Sequence, residues 1–155
     1  TKILNEEVTL RATYEGGLLS YSKGSSRVTD RFFLGSSVMR GFDPGGIGPR
    51  DKVTDDALGG TAFSVIRLET EFPLGLPSEY GITGGAFIDY GSAWDVSTDT
   101  DADILYDDFV PRTVAGLSIF WTTPFGPLRF NWTEALEAEE FDNTTNFDVT
   151  ISTSF

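Results

Sequence analysis

The chain has 155 residues, 24 acidic against 11 basic side chains, a formal charge of −13, and neither His nor Cys. The missing Cys and His exclude disulfide frameworks, thiolate or imidazole metal sites, thiol nucleophiles and Ser–His chemistry. The acidic balance argues against nucleic acid as a partner, which needs a basic footprint, and no apolar run approaches the roughly 18 residues of a spanning helix. Membrane-crossing strands escape that last test, because they need only about 9–11 residues that are apolar at alternate positions. The length suits one domain.

Six segments alternate with the period of a strand. Val8–Tyr14 puts Val8, Leu10, Ala12 and Tyr14 opposite Thr9, Arg11 and Thr13. Thr61–Phe72 sets Ala62, Ser64, Ile66, Leu68, Thr70 and Phe72 against Phe63, Val65, Arg67, Glu69 and Glu71. Gly81–Trp94 separates Ile82, Ala86, Ile88, Tyr90 and Trp94 from Thr83, Phe87 and Asp89. Arg112–Thr122 separates Ala115, Leu117, Ile119 and Trp121 from Val114, Gly116, Ser118 and Phe120. Pro127–Thr133 sets Leu128, Phe130 and Trp132 against Arg129, Asn131 and Thr133. In the last, residues 146–155, Phe147, Val149, Ile151 and Phe155 share one face. No segment carries a sustained helical stripe.

The connections are of two kinds. Pro73–Tyr80 and Thr123–Gly126 are short and rich in Pro and Gly, as turns are. Residues 15–60, Asp95–Val110 and Glu134–Thr145 are longer and polar, and the first far exceeds the usual limit of about 12–15 residues for a structureless connection. Short turns at one end and long loops at the other is the asymmetry of an outer-membrane barrel. The second face agrees: it carries mainly Thr, Ser, Asn and Gly with isolated charges, suiting a hydrated lumen better than a free surface. The expected fold is therefore all-β, an antiparallel transmembrane β-barrel portion. Six strands fall below the usual minimum of eight, so the chain is expected to be a fragment, or to close by self-association if it is complete. A soluble β-sandwich is the other reading of the alternation.

The 15–60 segment collects Phe32, Phe33, Leu34, Val38, Met39, Phe42, Ile47 and Leu58. Such residues need a surface to pack on, which predicts a loop folded into the lumen. Arg40 would then need an anion, since an unpaired buried charge is expensive; Glu69, Glu71 and Asp89 lie on the inner face. The alternative is a solvated loop arginine. Arg67 and Arg129 share that face, with Glu69, Glu71 or loop acids as possible partners. Trp94, Trp121, Trp132, Tyr90 and Phe155 lie near strand ends, as an interfacial aromatic girdle would. The aspartates of 95–108 lack the spacing of a calcium loop, and no metal or other cofactor is expected.

The motif Met39-Arg40-Gly41-Phe42, together with Ile47-Gly48-Pro49-Arg50 and Pro124-Phe125-Gly126-Pro127-Leu128-Arg129-Phe130, resembles the BamA family of outer-membrane assembly factors. Met39 replaces the β-branched residue usual in that motif. The resemblance covers nearly all of 1–155 and matches the six strands to the last six of a sixteen-stranded barrel. It implies that Arg40 pairs with Glu69 and Asp89 inside the barrel, with Gly41 allowing a tight turn and Phe42 as an apolar anchor. It also implies that 146–155 is a terminal strand carrying a β-signal at Phe147, Val149, Ile151 and Phe155, which meets the first barrel strand at a lateral seam. The implied activity is folding and insertion of β-barrel proteins into the outer membrane, without enzyme chemistry. The implied partners are outer-membrane lipids and, through the full-length parent, nascent β-barrel proteins and assembly lipoproteins. A TamA-like or two-partner secretion transporter barrel, or a small structural or pore barrel, are the alternatives.

Overall fold

Period-two alternation forces every second side chain of a strand onto one face, and here the two faces differ in polarity along each strand. The computed structural model describes residues 2–3, 7–20, 27–35, 38–96, 104–105 and 107–151. In chain order its strands are β1 (Lys2–Ile3), β2 (Thr9–Leu18), β3 (Arg50–Asp51), β4 (Ala62–Pro73), β5 (Ile82–Trp94), β6 (Ile104–Leu105), β7 (Arg112–Thr123), β8 (Gly126–Glu137) and β9 (Phe147–Ile151). The six long segments form one sheet, ordered β2-β4-β5-β7-β8-β9, with the short β1 along β2. Every neighbouring pair is antiparallel. This is the expected partial-barrel wall, an up-and-down sheet in which each long strand pairs with the next.

The outer face presents Leu10, Tyr14, Leu18, Ile66, Leu68, Ile88, Tyr90, Leu117, Trp121, Trp132, Phe147, Val149 and Ile151, all exposed. Cross-strand register gathers them into rows, such as Leu68 beside Ile88 and Leu117 beside Trp132. An apolar face this broad is what a strand wall turns toward lipid. The inner face buries Val65, Phe87, Asp89, Val114, Ser118, Asn131 and Thr133. Against it packs the long loop: Leu34, Met39, Phe42 and Ile47 join Val65, Phe87, Ala93 and Val114 in one apolar cluster. The core therefore lies between loop and wall rather than between two sheets.

Two boundaries differ from the sequence reading. The loop expected at 15–60 begins later, because β2 continues through Leu18 and pairs Glu15–Leu18 with Val65–Ala62. Glu15-Gly16-Gly17 looks like a turn, yet the Glu15 carboxylate faces inward and accepts a 2.8 Å hydrogen bond from Arg67. Likewise β8 continues to Glu137, which the polarity of Glu134–Thr145 concealed. A register shift at Thr113/Val114 lets the ladder carry on, and Thr113 Oγ1 donates to Glu137 Oε2 at 2.7 Å. The far end of 146–155, with Phe155, lies outside the described residues.

The short connections lie at one end. A single 3-10 turn over Ser78–Tyr80 is ended by Gly81 at φ 61°, and Pro124-Phe125 joins β7 to β8. At the other end the long loops bind one another: β3, inside the long loop, pairs with β6, which lies between β5 and β7.

If the outer face meets lipid, Ile88→Arg, midway along β5, destabilises the barrel by about 2–4 kcal/mol. Equilibrium unfolding from lipid vesicles measures this, and an unchanged midpoint contradicts it.

Candidate functional site: an arginine of the inserted loop in the barrel wall

Arg40 enters the wall from a turn in which the Val38 and Met39 amides both donate to the Gly35 carbonyl, at 3.0 and 2.8 Å. Its backbone N–H donates to Asp89 Oδ2 at 3.1 Å and its Nε to the same oxygen at 2.7 Å. Nη2 donates to Asp89 Oδ1, and Nη1 to Glu69 Oε2 at 3.0 Å. One guanidinium thus grips Asp89 on β5 in a bidentate fork and reaches Glu69 on β4. Its carbon lies 3.7 Å from the centre of the Phe87 ring, so the flat cation is also covered by an aromatic face. Asp89 is fully buried and Arg40 nearly so. A charge in that position persists only when its hydrogen-bonding groups are engaged, and the two carboxylates do this.

The neighbouring motif residues provide the fit. Gly41 has φ +86°, and a Cβ there would approach a Val114 methyl to 2.9 Å. Glycine satisfies both the backbone angle and the space. Met39 and Phe42 are completely buried, each contributing about 1.5–3 kcal/mol by burial. The structure thus brings Met39, Arg40, Gly41, Phe42, Glu69 and Asp89 to one place on the inner face. Glu71 stays apart and accepts from Thr83 Oγ1 at 2.8 Å.

Glu69 is a hub beyond what the sequence indicates. Besides Arg40 it accepts from Arg129 Nη1 at 3.0 Å and Arg11 Nη1 at 3.4 Å. From Arg129 the polar contacts run on: Nε donates to Asn131 Oδ1 at 2.7 Å, Ser118 Oγ to the same atom at 2.6 Å, and Asn131 Nδ2 to Asp148 Oδ1 at 2.6 Å. Arg11, Glu69, Asp89, Ser118, Asn131 and Asp148 stand on β2, β4, β5, β7, β8 and β9, so the network touches every long strand. Polarity places Arg129 on this face but leaves its partner open between Glu69, Glu71 and loop acids. Arg67 takes Glu15, not Glu69.

A second buried ion pair has no signature in the sequence. Arg112, at the start of β7, donates through Nε to Asp142 Oδ2 at 2.7 Å and through Nη2 to Oδ1 at 2.9 Å, both side chains fully buried. It also binds the Val110 carbonyl and Ser92 Oγ. Within the long loop Arg50 donates to the Gly45 and Asp55 carbonyls, each at 2.9 Å, and Arg31 to the Leu58 carbonyl at 3.1 Å. Asp51 caps its own turn by accepting from the Thr54 and Val53 amides, which hold its carboxyl below the ordinary aspartate range. Arginine is the common fastener, since its fork of donors can satisfy carboxylates and carbonyls together.

The other residues that the sequence singles out lie apart from this site. Phe147, Val149 and Ile151 lie exposed on the outer face of β9. Trp94 meets Phe109 edge-on at 4.9 Å and Trp132 meets Phe147 at 5.4 Å. Of the aspartate-rich stretch, residues 97–103 and 106 lie outside the described ones. At its ends, the Asp95 side chain accepts from Thr61 Oγ1 and that of Asp107 from the Val96 amide.

An antiparallel wall with an apolar outer face, a polar inner face and its own loop seated on that inner face defines a portion of a transmembrane β-barrel with an inserted loop. A family model described as the Omp85 superfamily domain matches residues 2–155, and the chain belongs to that superfamily. It is 40 % identical over 121 residues to the outer membrane protein assembly factor BamA of Neorickettsia risticii, covering 78 % of this chain and 16 % of that protein. It is 30 % identical over 119 residues to BamA of Nitratidesulfovibrio vulgaris, covering 76 % and 14 %. A SAM50-like protein of Schizosaccharomyces pombe is 43 % identical over 60 residues, 38 % of this chain and 12 % of its own length. The crystal structure of Haemophilus ducreyi BamA lacking POTRA domains 1–3 superposes with a TM-score of 0.77 at 20 % identity, over 94 % of this chain and 32 % of that one. The chain therefore spans about a sixth or less of the curated relatives it matches. Within the superfamily it is a BamA-type barrel portion, a protein of the outer membrane.

Arg40→Ala leaves Asp89 buried without its counter-ion and costs about 3–5 kcal/mol, and Arg40→Lys recovers less than half of that, because an ammonium cannot supply the fork or the flat face over Phe87. Unfolding from lipid vesicles reads both, and a lysine variant as stable as the parent contradicts the prediction. Gly41→Ala costs about 1–2 kcal/mol for its backbone angle alone and more for the Val114 contact. A variant within a few tenths of wild type would contradict it.

Proposed function

We propose that the chain is the seam-bearing part of an outer-membrane insertase, which folds and inserts β-barrel proteins through a lateral opening at its last strand. What supports this reading is the similarity to relatives named as outer membrane protein assembly factors, with β9, which pairs with β8, as the strand the reading places at the seam. The outer residues of β9, Phe147, Val149 and Ile151, are apolar and exposed. An unpaired strand edge cannot stay bare in hydrocarbon, because each unsatisfied N–H or C=O there costs several kcal/mol. Such an edge is paired either by another barrel strand or by an incoming one, and strand addition supplies main-chain hydrogen bonds without covalent chemistry.

The inserted loop supports the same reading. A conducting pore needs an open lumen, whereas Met39, Arg40 and Phe42 are buried where the loop packs on the inner face. The relatives named as outer-membrane assembly factors favour an insertase over a transporter. Nascent β-barrel proteins are then the substrates, assembly lipoproteins the partners of the full-length protein, and the Arg40 site a scaffold rather than a reaction centre.

The test joins β9 by a disulfide to the barrel's first strand in the full-length protein, reconstituted in liposomes with a β-barrel substrate. Oxidation is expected to stop substrate folding and reduction to restore it. Insertion at an undiminished rate through a locked barrel contradicts the proposal.

A further inference from the structure

Among the described residues β9 pairs with β8 from Phe147 opposite Trp132 to Ile151 opposite Leu128. The segment that leads into it has contacts of its own, and many of them come from the inserted loop.

Residues 41–46 run beside residues 143–145 as a short antiparallel contact. Thr145 N–H donates to the Gly41 carbonyl at 2.8 Å, Asp43 N–H to the Asn143 carbonyl at 2.9 Å, and Asn143 N–H to the Gly46 carbonyl at 3.0 Å. Phe42 and Thr144 face each other as a bridge. The approach is close enough that a Cβ on Gly46 would lie 2.5 Å from the Asn143 carbonyl oxygen and 2.7 Å from that of Asp43. Both are backbone atoms, so nothing flexible can yield. From the wall, Thr133 Oγ1 donates to the Thr145 carbonyl at 2.6 Å, and Asn146 Nδ2 to the Thr133 carbonyl at 3.0 Å. The buried Arg112–Asp142 pair fixes the upstream side. A second route reaches β9 itself through Glu69, Arg129, Asn131 and Asp148. The turn that seats Arg40 in the wall is thus continuous with the contact that seats the entry to β9.

We propose that the inserted loop is the latch of the terminal strand: residues 41–46 clamp residues 142–146, and β9 leaves β8 only when that clamp opens. Its link to function rests on the reading of β9 as the seam strand. Proteins open locally in contiguous units. Here the clamp and β9 form one contiguous unit, and the clamp sets when β9 opens.

The test is hydrogen exchange on the full-length protein in liposomes, comparing wild type with Gly46→Ala. The added methyl meets the Asn143 carbonyl and the Asp43 backbone and so wedges the loop from residue 143, with Arg40, Asp89 and Glu69 themselves unaltered. The expected result is at least tenfold faster exchange of the β9 amides bonded to β8, with β4 and β5 unchanged. A folded Gly46→Ala protein whose β9 exchanges at the wild-type rate overturns the latch. Should the variant not fold, wild type alone decides. A latch requires the Asp43, Asn143 and Thr145 amides to open at the same rate as β9, and opening a hundredfold faster while β9 stays protected overturns it. Substrate insertion is measured in the same liposomes. If β9 is released from β8 and insertion is unchanged, the latch stands and its link to insertion fails, while the seam itself is judged by the disulfide between β9 and the first strand.

Discussion

A buried guanidinium sets the terms for this molecule. Arg40 is delivered by a loop, yet its partners, Asp89 and Glu69, belong to adjacent strands of the wall. Removing the loop would leave two carboxylates in an enclosed lumen, and removing the carboxylates would leave a cation there. Neither half is comfortable alone. Loop and wall are therefore parts of one folding unit, and the apolar cluster of Met39, Phe42, Val65, Phe87 and Val114 forms only when they meet. A barrel with lipid outside and water inside has no other dry core, which is why the loop carries so many large apolar residues.

The same ion pair organises what lies around it. Glu69 also serves Arg129 and Arg11, and Arg129 leads on to Asn131 and Asp148, so the polar contacts link all six long strands on the inner face. Such networks are valuable only when satisfied throughout. Here each arginine supplies several donors in a fixed plane, and the carboxylates, amide and hydroxyl between them accept. The outer face has the opposite logic: it offers apolar surface and leaves its partner, the lipid, outside the chain. Barrel position and inner lattice together explain why a strongly acidic chain keeps so many of its few arginines on the inside.

Much of this architecture was legible in the residues. Period-two alternation put Leu68 and Ile88 outside and Glu69 and Asp89 inside, and Pro and Gly marked the tight turns. The apolar residues of the long loop, read with Arg40, required an interior seat. Two strand ends were hidden because Glu15-Gly16-Gly17 and Glu134–Glu137 look like loops, although their carboxylates face pairing partners across the sheet. The contacts between loops were hidden for a different reason. The ladder of residues 41–46 on 143–145 is made of backbone groups and a missing side chain at Gly46, so no side-chain pattern advertises it. Arg112 and Asp142 are 30 positions apart and lie at loop junctions, where alternation has no phase to offer.

The most direct test of the central claim is a double-mutant cycle on Arg40 and Asp89, using Arg40→Met, Asp89→Leu and the double variant, with unfolding measured from lipid vesicles. If the buried pair holds loop to wall, the two changes are far from additive. The double variant should be more stable than the sum of the singles implies, by about 1–3 kcal/mol, because no uncompensated charge remains in it. Additive effects within about 0.5 kcal/mol would mean that the two residues contribute independently, and that apolar packing of the loop, rather than Arg40, holds it in the barrel.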